Sequence, residues 1–99
     1  MLNQVILVGR LVKDLKVEKE EETKICKINL AIPRSFKNAD GTYDTDFIEC
    51  IAFDSIAENT SEYCNKGDIV GIKGRLQSKD NKMELIAEKV TFLSSKPKE

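Results

Sequence analysis

One helical stretch stands in a chain that otherwise alternates with a period of two, and this imbalance restricts the fold more than any other feature. Ser55-Ile56-Ala57-Glu58 has the S-x-x-E form of a capping box, in which hydroxyl and carboxylate each satisfy an orphan backbone N–H. Ile56, Ala57, Thr60, Tyr63 and Cys64 then fall on one stripe, and Gly67 is placed to stop the helix. The alternating runs lie on either side: Asn3–Leu11, Thr23–Ile32 and Thr45–Phe53 before it, Asp68–Leu76 and Met83–Leu93 after it.

Five such strands are too few for a sandwich, and the chain lacks the alternating β-α units of a parallel sheet. Closing five strands on themselves removes exposed edges, and the helix can plug an open end. The expected fold is all-β: a five-stranded Greek-key OB-fold barrel with one helix between the third and fourth strands.

The run Thr45–Phe53 divides into two unlike faces. Ile48, Cys50 and Ala52 are small and apolar, suited to an interior. Phe47, Glu49, Ile51 and Phe53 set a carboxylate between two aromatic rings, which suits a face that offers rings to a ligand through water. The other reading makes Phe47 and Phe53 core and leaves the small residues under the helix. In Asn3–Leu11 both phases are apolar, as for a strand covered on two faces or one that meets another subunit. Gly9 within it marks a bend or a close backbone approach. The acid-rich stretch Glu18–Glu22 reads as a solvated hairpin tip, Asp80-Asn81-Lys82 as a short turn, and Phe92, in phase with Ile86 and Val90, as core.

With 99 residues the chain makes one domain, expected over 1–95, with a short polar end at 96–99. No apolar run approaches the ~20 residues of a membrane span, and no leader precedes the first strand, so no membrane partner and a cytoplasmic location are expected. Cys26, Cys50 and Cys64 lack metal-ligand spacing and sit on apolar phases, as buried free thiols do. The absence of histidine removes the commonest general base and metal ligand, so neither an enzyme nor a cofactor is expected. Asp14, Asp44, Asp46 and Asp54 could be imagined to hold a metal, yet they fall at strand ends and turns where acids are ordinarily found. The net charge is −1, but residues 18–22 alone sum to −3, so the remainder is positive.

At this point the chain resembles the bacterial single-stranded DNA-binding proteins. Met1 through Leu11 is similar to that family's first strand, Asp46-Phe47-Ile48-Glu49-Cys50 to its third, and Ala57-Glu58-Asn59 through Lys66-Gly67-Asp68 to its helix and exit. Gly71 through Gln77 resembles its fourth strand and Ala87 through Leu93 its last. The resemblance implies sequence-nonspecific binding of single-stranded DNA in replication, repair and recombination, by a barrel that assembles as a homotetramer. Pairing of first strands makes a dimer the minimum. It also implies stacking of bases on Phe36, Phe47 and Phe53, because a ring holds any base by its π-face. Phe53 alternatively caps the barrel under the helix. Arg10, Lys27, Arg34, Lys73, Arg75 and Lys79, on or beside exposed strand faces, would track the backbone.

Three departures qualify the resemblance. Relatives carry a long hairpin between the last two strands, where Ser78–Lys82 is a tight turn; a shorter binding surface is expected. Relatives continue into a flexible tail with an acidic tip, whereas this sequence stops at Glu99. Glu49 stands where relatives more often have neutral or basic residues. These departures keep a second reading in view, an OB-fold assembly module of the primosome type with weak or no DNA binding.

Overall fold

In the computed structural model, residues 1–95 are described, and the short polar end expected at 96–99 lies outside them. The elements run in the order β1 (Val5–Leu11), β2 (Val17–Glu20), β3 (Thr23–Pro33), β4 (Thr45–Phe53), α1 (Asp54–Tyr63), β5 (Ile69–Lys79) and β6 (Lys82–Ser94). Sheet neighbours follow the order β1-β5-β6-β4-β3-β2, and an added β1–β3 pairing joins the ends of a five-stranded ring. The all-β barrel with its single helix between the third and fourth ring strands is the architecture expected from the alternation.

The sixth strand, β2, lies outside the ring. β1 reaches β3 only through Arg10↔Ala31 and Leu11↔Leu30, so the first half of β3 keeps a free edge. β2 occupies that edge from Val17↔Cys26 to Glu20↔Thr23. The acidic stretch is thus the outer strand of a hairpin as well as its tip. Glu21 makes the turn with a positive φ of 53°.

Alternation sorts the core. Leu11 from β1, Cys26, Ile28 and Leu30 from β3, Cys50 and Ala52 from β4 and Val70 and Ile72 from β5 are buried together, each large apolar side chain contributing about 1.5–3 kcal/mol. Two glycines permit the close approaches that closure needs. A Cβ on Gly9 would stand 2.7 Å from Ile32 Cγ1 and 3.0 Å from the Ala31 carbonyl oxygen. One on Gly74 would run into the Ile86 carbonyl. Ile86 in turn makes the parallel bridge to Ile51 that closes β6 onto β4.

Four expectations change. The helix begins at Asp54, with Phe53 as its N-cap and no side-chain capping bond, so no capping box forms. The Glu58 carboxylate instead takes the Lys24 ammonium, which raises the lysine's pKa. The helix ends at Tyr63, before Gly67, and Tyr63 is 68% exposed while Ala57 and Thr60 are buried. Phe92 is 47% exposed although its partner Val70 is buried, because the far half of β6 has β5 on one edge and no strand of this chain described on the other. Finally, the last two strands run longer than their alternation suggests, up to Lys79↔Lys82, around a turn in which Asp80 and Asn81 have φ of 50° and 64°, the primed geometry of a two-residue hairpin.

Candidate nucleic-acid interface

Antiparallel pairing puts directly opposed residues on the same face, so the ladders map the outer surface row by row. Arg10 opposes Ala31 and Ala31 opposes Phe47, which sets Arg10 and Phe47 in one lateral row across β1, β3 and β4. The next rows along β3 and β4 are Asn29–Glu49, Lys27–Ile51 and Ile25–Phe53. Phe47 is 74% exposed, and Phe36, in the loop between β3 and β4, is 61% exposed. Large rings left in water on an ordered sheet are the arrangement that base stacking requires.

The loop that carries Phe36 is held by its own polar groups. The Arg34 N–H donates to the Asp44 carbonyl at 2.8 Å, the Asn38 N–H to the Thr42 carbonyl at 2.7 Å and the Gly41 N–H to the Asn38 carbonyl at 3.0 Å. The Asn38 amide donates to Thr42 Oγ1 and to Asp44 Oδ1, and Asp40 Oδ1 accepts from the backbone and hydroxyl of Thr42. Those bonds from Thr42 hold the Asp40 carboxyl below its usual range. Lys37 Nζ lies 6.0 Å from the centroid of the Tyr43 ring, within cation–π range.

The cations expected to track a backbone are distributed unevenly. Arg10 is exposed and donates from Nη1 to the Gly67 carbonyl at 2.6 Å, where the chain enters β5. Arg34 is committed elsewhere: it donates to Asp46 at 2.9 Å and lies 3.5 Å from Asp44. Those bonds raise its own pKa and hold the Asp46 carboxyl down. Arg75 donates to Gln77 Oε1 at 3.0 Å and stands 3.6 Å from Glu88. Lys73 opposes Ile6 and Lys89 on the outer face of β1, β5 and β6.

Phe53, Lys27 and Lys79 meet in one open groove between the β2–β3 and β5–β6 hairpins. Alternation along single strands gives no sign of what else lines it: Glu18 and Glu20 from one hairpin and Glu84 from the other, with Ile25, Ile51 and Gln77. Glu49 lines the adjoining hollow with Lys79 and Lys82. Phe53 is half-buried there and serves as both the helix N-cap residue and a groove wall. The Asn3 carboxamide anchors the outer hairpin by accepting from the Leu76 N–H at 2.9 Å and donating to its carbonyl at 2.6 Å.

Each of the four strand-end and turn aspartates has a protein partner. Asp14 accepts from the Lys66 N–H, Asp54 from the Lys24 N–H, and Asp44 and Asp46 bind Arg34. The three thiols are buried and unpaired, and burial pushes Cys50 up to about 11.

The family model of the Single-strand binding protein family matches residues 2–93. The chain belongs to this family. It is 38% identical to the single-stranded DNA-binding protein B of Bacillus subtilis over all of its own length and 96% of that protein's. A Staphylococcus aureus single-stranded DNA-binding protein is 39% identical over 97% of this chain and 68% of its own length, and single-stranded DNA-binding protein 3 of Listeria innocua is 38% identical, with 66% of its length covered. Among solved structures, the wild-type single-stranded DNA binding protein of Thermus aquaticus superposes with a TM-score of 0.79 at 24% identity, and this chain spans half of it. A deletion mutant of the Thermus protein gives a TM-score of 0.75 over 51% of its chain. At such identity the structural matches establish the fold, an OB barrel of the single-strand binding type.

Proposed function

We propose that this chain binds single-stranded DNA without sequence preference, as a binding protein rather than an enzyme, in the replication, repair and recombination roles general to the family. The observation that carries this reading is the pair of exposed rings, Phe36 and Phe47, with Arg10 in the Phe47 row. Duplex DNA hides its base faces in the stack, so rings of this kind select single strands. Arg10 supplies a phosphate contact next to them, and Lys27 and Lys79 supply cations near Phe53.

The groove around Phe53 is less favourable to a polyanion, since Glu18, Glu20 and Glu84 face its lysines. The main path therefore follows Phe36, Phe47 and Arg10, with Phe53, Lys27 and Lys79 as a secondary contact. Arg34 and Arg75 contribute less, because carboxylates already neutralise them; Lys73 lies farther along the outer face that carries Arg10. Oligomerisation is supported by the Val5–Gly9 stretch of β1, whose second edge has no partner within the described chain. No described helix is long and apolar enough to cross a membrane; we place the protein in the cytoplasm, where its nucleic-acid partner is found.

The deciding measurement is an anisotropy titration of labelled oligo-dT and of matching duplex at two salt concentrations. Single-strand preference is expected, with affinity falling with salt at about −0.7 in log units per phosphate contact. Phe47→Ala, at an exposed position, should weaken binding about five- to a hundredfold with the thermal unfolding midpoint unchanged. Absence of oligo-dT binding at low salt would overturn the reading in favour of the assembly module.

A further inference from the structure

Tyr43 takes no part in the contacts assigned above, yet its ring is 52% exposed in the same loop as Phe36. Packing does not explain it, because the ring is absent from the core. Loop closure does not explain it either, since the loop is already tied by Asn38, Asp40, Thr42, Asp44 and Arg34 through their own bonds. The backbone pairing of β3 with β4 ends at Pro33↔Thr45, and the Arg34 N–H bond to the Asp44 carbonyl carries it one residue further. The period of two that brings Phe47 and Thr45 outward then reaches Tyr43 on the same side. Lys37 stands against this ring at 6.0 Å, so a ring and a cation are presented together on an ordered turn.

A nucleotide offers the matching pair of features, a π-face and a phosphate. We propose that Tyr43 and Lys37 form a further nucleotide contact, in which the tyrosine ring stacks a base of the strand held by Phe36 and Phe47 and the lysine meets its phosphate. The inference rests on the single-strand reading and extends the contact path along the β3–β4 loop. Exchanging one ring face from water or Lys37 to a base is an exposed, reversible step that needs no rearrangement of the hydrogen-bonded turn.

The chain has two tyrosines and no tryptophan, so emission excited beyond the phenylalanine absorption band comes from Tyr43 and Tyr63 alone. Titrating the full chain with oligo-dT should quench this emission, and Tyr63→Phe should leave the quenching in place. Tyr43→Phe should abolish the quenching while keeping the anisotropy affinity, because the ring remains. Tyr43→Ala should weaken binding at least about fivefold. Quenching that persists in Tyr43→Phe, or unchanged affinity in Tyr43→Ala, overturns the inference while leaving the single-strand reading intact. A wild-type chain that binds no oligo-dT in anisotropy overturns the single-strand reading itself, so the two failures are distinguishable. Should Tyr43→Ala fail to fold, the two phenylalanine variants still decide the question.

Discussion

At the scale of single residues, Glu49 is the side chain that most opposes the function of its surroundings. It shares an outer face with Phe47 and opposes Asn29, which brings no positive charge to offset it. A carboxylate beside a phosphate chain repels it, more so at low salt. Glu49→Gln should therefore tighten oligo-dT binding about two- to fivefold, the scale of an exposed charge interaction, with the effect shrinking as salt rises. Equal or weaker binding in the titration would show that the strand does not pass Glu49. Cys50, on the same strand with the opposite phase, illustrates how sharply the two faces differ: its burial keeps the thiol protonated and out of reach of solvent.

Among the elements, the β3–β4 loop and the two hairpins set the limits of the interface. The loop depends on ionised carboxylates: Arg34 holds Asp46 down, and Thr42 holds Asp40 down. A carboxyl whose pKa is lowered in the folded state binds fewer protons there than when unfolded. Its contribution is present above the ordinary carboxylate pKa and is lost as pH falls through the lowered value. Taking the pH below about 4 should therefore cut the hydrogen-exchange protection of the Asn38, Gly41 and Thr42 amides while β3 and β5 keep theirs. Retained loop protection at that pH would assign the order of the turn to its backbone bonds alone. The hairpins act differently, because β2 brings Glu18 and Glu20, and β6 brings Glu84, into the groove beside Phe53.

On the scale of the whole molecule, the unpaired β1 edge and the exposed Ile6 and Val8 beside it are the features that a lone barrel leaves unsatisfied. An open edge with apolar neighbours invites a second copy across a two-fold axis. Light scattering should give at least twice the monomer mass, and Val8→Lys should shift the population toward monomer by placing a charge on that face. A monomeric wild-type chain would leave the edge without this role. The family resemblance points further, to a tetramer, and the same measurement reads it.

The barrel was legible in the sequence because strand alternation is local: Cys26, Ile28 and Leu30, or Cys50 and Ala52, need only their own backbone's period of two to be assigned inward. The rings Phe36 and Phe47 were legible for the same reason, one in a polar stretch and one opposite a buried phase. What depended on distant segments could not be read that way. β2 exists because β1 leaves half of the β3 edge free. The capping box fails because Lys24, on another strand, engages Glu58, and because the helix starts two residues earlier, with Phe53 rather than Ser55 as its N-cap. Phe92 is exposed since no strand covers that half of β6, whatever its phase. Arg34 loses its freedom to Asp46, twelve residues away. Which side of each strand faces the core could be read from residue order, since it follows from backbone geometry. Which charges stand next to which rings could not, since an electrostatic environment is set by groups that folding brings together from distant parts of the chain.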